Sequence, residues 1–206
     1  MANSNDEFQY TNTWFDDNAK RYLSTLLPSL LPKRILEIGC YEGRSTCFFI
    51  DTLAKHVPLE LHCVDNFRGG WEHQDSDMNL VMRRFFHNVG LATKKGTQKT
   101  KVTLHRTKSD LALARLLSSG MENYFDFIYV DGSHDLQDVL LDAILCFKML
   151  REGGVIGFDD YTWGTNNPSL WRSPKIAIDY FTVAHWQNLR FLNISVSQVY
   201  LQKLPA

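Results

Sequence analysis

The sequence lacks several features that would have assigned the protein to a class at once. It has no uninterrupted apolar run of about eighteen residues, so we expect no membrane-spanning helix. Its 22 basic and 23 acidic residues nearly balance, which argues against nucleic acid or a lipid surface as a partner. The N-terminus is polar and acidic, unlike a signal peptide, so we expect a cytoplasmic location.

The sequence also lacks any C-x-x-C pair. Each of its four cysteines lies among apolar residues: Cys40, Cys47, Cys63 and Cys146. This pattern predicts buried free thiols in a reducing compartment rather than disulfides or a zinc site.

The 206 residues, 44% of them hydrophobic, predict a single domain over 1–206. The first dozen residues look loosely ordered, and a helix over 14–30 completes an N-terminal extension, 1–31. Apolar strands are predicted at 34–39, 59–65, 101–106, 124–131 and 153–160, alternating with helices at 43–56, 78–90, 109–120 and 135–150. A helix at 173–186 and two strands within 190–204 fill the segment 166–206. The fold class is therefore α/β, a Rossmann-like parallel sheet with helices on both faces and a C-terminal antiparallel hairpin.

The stretch "EIGCYEG" connects the first strand to the next helix, and its glycines, Gly39 and Gly43, are spaced G-x-x-x-G. Neither G-x-G-x-x-G nor Gly-Lys-Ser/Thr is present, and Glu37 would repel a phosphate. A cationic or neutral ligand suits this turn better. Asp65 ends the second strand about 26 residues after Gly39, where a carboxylate can accept both hydroxyls of a ribose.

Together, the turn, the spaced acid and the sheet pattern resemble class I S-adenosylmethionine-dependent methyltransferases. The resemblance implies that the core, 34–165, binds S-adenosylmethionine (SAM), with Asp65 at the ribose and the segment 108–110 near the adenine. The residues it implies for the cofactor are Glu37, Gly39, Cys40, Tyr41, Gly43, Ser45, Asp65, Asn66, Ser109, Asp110 and Asp131.

The later stretches "FDFIYVDGSH" and "GGVIGFDDY" resemble small-molecule O-methyltransferases of the catechol type and of the sugar- or antibiotic-tailoring type. That resemblance implies that Asp131, Asp159 and Asp160 hold Mg²⁺ or another divalent cation, which grips the substrate oxygens. The alternative reading of Asp159 and Asp160 is a polar strand end that caps the next turn.

His134, three residues after Asp131, is a candidate general base, so we place His134 and Asp131 at the catalytic centre. The alternative is an exposed helix-entry residue; His73 is a weaker candidate base. The loop 66–77 is either a lid or an ordinary connection. Trp163 and Trp171 form either an aromatic wall for the substrate or core and dimer contacts.

The leading hypothesis is therefore divalent-metal-assisted O-methylation of a small hydroxylated molecule, a sugar or a natural product. Its closest rival is a metal-independent N- or O-methyltransferase that uses His134 as base. Rivals of other classes are a non-catalytic nucleotide-binding module and a nucleotide-dependent oxidoreductase, the latter disfavoured by the missing fingerprint. A homodimer is also expected, from aromatic residues that look exposed at both ends of the chain: Trp14, Phe15, Trp171, Phe181 and Trp186.

Overall fold

The computed structural model describes residues 7–165 and 169–205 as one seven-stranded sheet with helices against both faces. The strands are β1 (Arg34–Ile38), β2 (Leu59–Val64), β3 (Thr100–His105), β4 (Phe125–Val130), β5 (Leu150–Phe158), β6 (Leu189–Ile194) and β7 (Val199–Lys203). The helices are α1 (Trp14–Asp17), α2 (Lys20–Leu30), α3 (Arg44–Leu53), α4 (Met78–Lys95), α5 (Ser109–Ser118), α6 (Leu136–Met149) and α7 (Pro174–Ala184).

The strand order is β3-β2-β1-β4-β5-β7-β6, which confirms the predicted architecture. The first five strands run parallel, and β7 and β6 complete one edge as an antiparallel pair. The chain moves outward from β1 to β3 and then returns to β4 beside β1. The point where the order reverses therefore lies between the carboxyl ends of β1 and β4, where ligands of open α/β sheets bind.

Two apolar cores lie on opposite faces of the sheet because the strands are apolar on both sides. One core packs α2, α3 and α4 against the sheet, around residues such as Leu27, Phe49 and Phe85. The other packs α5, α6 and α7 around residues such as Leu113, Cys146 and Phe181. All four cysteines are free and buried, as predicted. In the described part of the chain, no helix is long and apolar enough to cross a membrane.

Several predicted boundaries are wrong. The helix predicted over 14–30 breaks between α1 and α2, and Pro28 lies inside α2, two residues before its end, where it removes one i→i−4 hydrogen bond. Helix α4 continues past Gly90 to Lys95, because Val89 and Ala92 keep an apolar face on the core. The sequence also suggests Ser109 as the N-cap of α5, but Lys108 occupies that position and Ser109 is the first helical residue.

The N-terminal segment and two aromatic residues also differ from expectation. Residues 7–12 are held by hydrogen bonds rather than loosely ordered; residues 1–6 lie outside the described part. Phe15 and Phe181 are 7% and 1% exposed, because both lie on core faces of their helices. Trp14, Trp171 and Trp186 are exposed.

Candidate functional site

A cavity of about 460 Å³ opens at the carboxyl ends of the parallel strands. Segments that follow β1, β2, β3 and β4 all contribute to its wall, so it lies across the point where the strand order reverses. It is of the size that small-molecule and cofactor sites commonly have. Of the predicted site residues, those that line it are Gly39, Cys40, Tyr41, Ser45, Asp65, Asn66, Ser109, Asp110, Asp131, His134 and Asp160.

Steric constraints explain why glycine occupies both positions, 39 and 43, of the turn after β1. Gly39 has a φ of +80°, and a Cβ atom there would lie 1.9 Å from the backbone oxygen of Asp131. Gly43 has a φ of +77° and begins α3, with the Phe85 ring 3.0 Å from where its Cβ would be. Gly43 does not line the cavity. Close approach between the ends of β1 and β4 therefore requires glycine at position 39.

Glu37 lies beneath this turn and does not line the cavity. Its fully buried carboxylate accepts hydrogen bonds from the Ser45 and Thr46 hydroxyls in the first turn of α3. Burial raises the pKa of Glu37 to about 7. The side chain therefore connects β1 to α3, and its predicted role toward a cofactor stays a prediction.

Asp65 anchors the turn from the neighbouring strand. Its Oδ2 accepts hydrogen bonds from the backbone N–H groups of Cys40, at 2.9 Å, and Tyr41, at 3.0 Å. Its Oδ1 accepts from the N–H of Phe67, at 2.7 Å. The carboxylate thus holds the ends of β1 and β2 together at the cavity wall. Asn66 beside it accepts a hydrogen bond from the N–H of Arg68.

The wall near Ser109 and Asp110 contains an acid that the sequence reading missed. Asp142 of α6 lines the cavity, is 2% exposed, and bonds to the Ser109 side chain. Burial raises the pKa of Asp142 to about 7, and Asp138 and Asp110 add to the effect. An acid among apolar helix positions such as Val139, Ala143 and Cys146 was the available signal.

The three predicted metal ligands and His134 surround a hollow of about 10 Å³ beside the main cavity. No described residue donates a hydrogen bond to the Asp131 carboxylate. Burial raises the pKa of Asp131 well above its usual range, and the nearby carboxylates of Asp159 and Asp160 raise it further. The pKa of Asp159 is raised by burial and by Asp160. Such a cluster favours a bound cation or a retained proton.

Asp159 and Asp160 have different surroundings. Asp159 accepts hydrogen bonds from the Tyr129 hydroxyl and, at 2.8 Å, from the side-chain amide of Gln198. Asp160 has a φ of +54°, and its Oδ2 lies 2.9 Å from Nε2 of His134. The imidazole ring of His134 stacks on Trp163, with ring centroids 4.1 Å apart. Asp160 and Trp163 together fix the orientation of His134.

The three aspartates do not converge as closely as an occupied metal site would. Among the described residues, one set of three or more His, Cys, Asp or Glu residues brings its ligand atoms within 4.8 Å of one another. That set is Glu37, Cys40 and Cys63. The donor chemistry at the aspartates nevertheless suits Mg²⁺, because carboxylate oxygens are its preferred ligands and, within 7–165 and 169–205, no group donates a hydrogen bond to the Asp131 carboxylate.

Aromatic residues surround the mouth of the cavity. Trp71, from the loop 66–77, lines it, contacts Trp163 at 5.7 Å, and carries the Arg172 guanidinium over its ring. His73 also lines the cavity, 5.2 Å from the Tyr41 ring. Neither Trp163 nor Trp171, for which an aromatic wall was one of two readings, lines the cavity, and Trp171 is 76% exposed, so Trp71 supplies that wall.

The N-terminal segment closes the remaining side, which the sequence reading did not anticipate. Tyr10, Asn12, Trp14 and Phe15 all line the cavity. Their place is fixed by residues far along the chain, so no local pattern could have indicated it.

The Rossmann-like sheet, the glycine turn anchored by a carboxylate and the cavity at the strand ends form the kind of ligand site that open α/β proteins carry where their strand order reverses. The Methyltransf_24 sequence model, described as a methyltransferase domain, matches residues 36–161, and the chain belongs to this family. It is 26% identical over 164 residues to a probable caffeoyl-CoA O-methyltransferase 3 of Dictyostelium discoideum, covering 75% of this chain. The chain spans 57% of that relative's length.

Solved structures share the fold. An O-methyltransferase from Bacillus cereus, in complex with S-adenosylhomocysteine (SAH), superposes with a TM-score of 0.61 at 18% identity, covering 95% of this chain and 83% of that one. The O-methyltransferase TomG from Streptomyces achromogenes, involved in tomaymycin synthesis and in complex with SAM, gives a TM-score of 0.64 at 17% identity, covering 91% and 80%.

Proposed function

We propose that the protein transfers the methyl group of SAM to a hydroxyl oxygen of a small molecule, a sugar or natural product, with a divalent cation assisting. The observation that carries this proposal is one cavity that brings the Gly39 turn and Asp65 together with Asp131, His134 and Asp160. Membership of the methyltransferase-domain family supports it.

SAM, when bound, supplies an electrophilic methyl group on a sulfonium centre. The chain's own contribution begins at the turn, where Gly39 keeps the floor of the cavity free of a side chain. Asp65 faces the same cavity with a carboxylate that can accept ribose hydroxyls. Asp65 and Asp131 both line this cavity, and their carboxyl groups favour a cationic ligand over an anionic one.

Asp131, Asp159 and Asp160 would hold the cation, which would lower the pKa of an acceptor hydroxyl and orient it. Asp159 is positioned by Tyr129 and Gln198. Oδ2 of Asp160 is hydrogen-bonded to His134, so Oδ1 is the oxygen that would bind the cation.

His134 removes the hydroxyl proton at Nδ1, because its Nε2 is the nitrogen that faces Oδ2 of Asp160. The carboxylate of Asp160, 2.9 Å away, then stabilises the imidazolium, and the Trp163 ring keeps the imidazole in place. Trp71 and Arg172 form an aromatic and cationic rim that can pack against a substrate ring.

A metal-independent methyltransferase is the second candidate, and one observation favours it. The His134–Asp160 pair is already formed, whereas the three aspartates do not bring their oxygens within 4.8 Å of one another among the described residues. In this alternative, the pair alone activates an N or O acceptor.

Calorimetric titration with SAH, with and without Mg²⁺, tests cofactor binding. We expect binding by the wild type and a loss of roughly 1–3 kcal/mol in Asp65→Ala, because hydrogen bonds to a charged group are removed. The control is Asp51→Ala, which removes an exposed carboxylate on α3 that pairs with Lys55. Absence of binding, or binding of NAD(H) instead, contradicts the proposal.

Methyl transfer from labelled SAM to a panel of vicinal diols and phenols separates the two candidates. The metal-assisted reaction requires that EDTA and Asp159→Asn each abolish turnover while SAH binding remains. Full turnover after EDTA treatment selects the metal-independent reaction. In both cases His134→Gln is expected to lower kcat by about 10²–10⁴ and to remove the acidic limb of the pH–rate profile, where the rate rises as the base loses its proton.

A further inference from the structure

Three potential metal ligands converge beneath the glycine turn, apart from the three aspartates. Glu37, Cys40 and Cys63 are buried, and each offers one ligand atom within 4.8 Å of the other two. The two sulfur atoms and the carboxylate come from β1, the turn after it and β2.

The strand register creates this cluster. Glu37 of β1 pairs directly with Cys63 of β2, and the Cys63 thiol lies 3.8 Å from Oε2 of Glu37. Gly39 then turns the chain back, so that the Cys40 thiol lies 3.7 Å from the backbone oxygen of Val64. Asp65 holds the backbone N–H of Cys40 and keeps the turn in this position.

The cluster contains a buried carboxylate, Glu37, for which the described part of the chain provides no basic partner. Glu37 accepts hydrogen bonds from the Ser45 and Thr46 hydroxyls and from the Cys63 thiol, and Asp65 lies near enough to raise its pKa. Removing a carboxylate from water without a counter-charge costs several kcal/mol, on the order of the penalty for one buried ion. A bound cation would supply the missing positive charge.

We propose that Glu37, Cys40 and Cys63 form a binding site for a thiophilic divalent cation such as Zn²⁺. Zinc takes thiolate at about 2.3 Å and carboxylate at about 2.0–2.2 Å, so two sulfur ligands of one ion lie within about 4.6 Å of each other. All three ligand atoms of the cluster lie within 4.8 Å of one another.

The donor set distinguishes this site from the aspartate cluster. Thiolates select zinc and other soft cations, whereas Mg²⁺ prefers a set made only of oxygen ligands. Cys40 also lines the main cavity, which gives a cation a path to the buried thiols. As the two sulfur–metal bonds form, the thiols release two protons to solvent.

Binding here would connect β1, the glycine turn and β2 through one ion. A ligand that binds only the folded state raises its stability. We therefore expect Zn²⁺ to raise the Tm even in the presence of excess Mg²⁺.

Cd²⁺ is the spectroscopic probe, because its bonds to thiolate give an ultraviolet charge-transfer band that oxygen ligands do not give. Titration of the wild type in excess Mg²⁺ is expected to saturate at one Cd²⁺ per chain, and Zn²⁺ is expected to displace it. Cys63→Ser is expected to lose the two-thiolate band. The matched control is Cys146→Ser, a buried thiol in the opposite core, which is expected to retain it.

A second measurement uses the wild type alone, in case Cys63→Ser does not fold. Cd²⁺ is expected to slow alkylation of Cys40 and Cys63 selectively, as read by peptide mass mapping, while Cys146 reacts at its metal-free rate. No thiolate band in the wild type, an unchanged band in folded Cys63→Ser, or equal protection of Cys146 would each overturn the proposal. None of these readouts depends on methyl transfer.

Discussion

Gly39 allows β1 to end against β4, and replacing it tests how much the cavity depends on that approach. In Gly39→Ala, the new methyl group would lie 1.9 Å from the Asp131 backbone oxygen, so the two strand ends must separate. We expect severe destabilisation, of about 4 kcal/mol or more, and loss of SAH binding. Urea unfolding and calorimetry measure the two effects.

Gly120 is the matched control for this substitution. It also has a positive φ, of +88°, but no atom lies within 4 Å of the position of its Cβ. Gly120→Ala is expected to cost only the conformational strain of about 1–2 kcal/mol and to leave SAH binding unchanged. Equal losses in the two variants would show that close approach at Gly39 is not the cause.

Asp142 gives a prediction about pH. Its pKa is raised from 3.8 to about 7 by burial, so between these values the folded protein holds a proton that the unfolded chain has lost. Stability contributed by this group therefore falls as the pH rises from about 4 to 7, by at most about 1.4 kcal/mol per pH unit.

Asp142→Asn cannot ionise, so it removes that contribution. We expect the variant to gain stability over the wild type as the pH rises, in urea unfolding at pH near 5 and near 8 without ligand. Other titrating groups, including Glu37, contribute equally to the stability of the variant and the wild type, so their contributions cancel in the difference. A stability difference that is the same at both pH values would contradict the assignment.

At the scale of an element, α4 holds the N-terminal segment against the cavity through one buried side chain. Asn88 accepts from the backbone N–H of Gln9 at 2.7 Å, and donates to the backbone oxygens of Gln9 and Glu42. Glu42 in turn accepts from the backbone N–H of Thr11 and from Arg84.

Asn88→Ala leaves three backbone groups without this partner. We expect a loss of about 1–3 kcal/mol, faster hydrogen exchange at Gln9 and Thr11, and weaker SAH binding. Asn79→Ala, at an exposed position of the same helix, is the control. If exchange at Gln9 is unchanged in Asn88→Ala, this side chain does not hold the segment.

At the scale of the whole molecule, we propose a homodimer that forms through the outer face of α7. Tyr180 and Val183 are 64% and 74% exposed and lie one turn apart on the same side of α7; Trp186, just after the helix, is 70% exposed. Apolar surface of this kind commonly marks a contact between proteins.

Sedimentation tests the homodimer. We expect a dimer for the wild type and a monomer for Val183→Glu, since a charge in an apolar contact is costly. Leu111→Glu, at an exposed apolar position on α5, is the control and is expected to remain dimeric. A monomeric wild type at micromolar concentration would reject the proposal.

Several structural features of this protein could be predicted from its sequence alone. The alternation of apolar strands and helices predicted the sheet, because a strand that is buried on both faces is apolar at nearly every position. The position of Asp65, at the end of the second strand, could be predicted from its spacing along the sequence from Gly39. Helix α4 was predicted to end at Gly90, since a glycine is a local stop signal, but contacts of Val89 and Ala92 with the core extend it.

The sequence could not predict which distant residues each side chain contacts. Asp142, Asn88 and the segment around Tyr10 were missed because their partners are distant in the chain. Glu37 was grouped with the cofactor residues because it precedes the glycine turn, but the strand pleat directs it beneath the turn, toward Cys63.

The sequence by itself determined that carboxylates follow the strands and that glycines occupy the first turn, since strand ends and turns depend on local pattern. Only the tertiary structure decided how those carboxylates differ. Asp159 is held by Gln198 from the C-terminal hairpin, Asp160 by His134, and Asp131 by no described residue. The physical reason is that strand order and side-chain packing, rather than spacing along the chain, decide which groups meet and which lose their water.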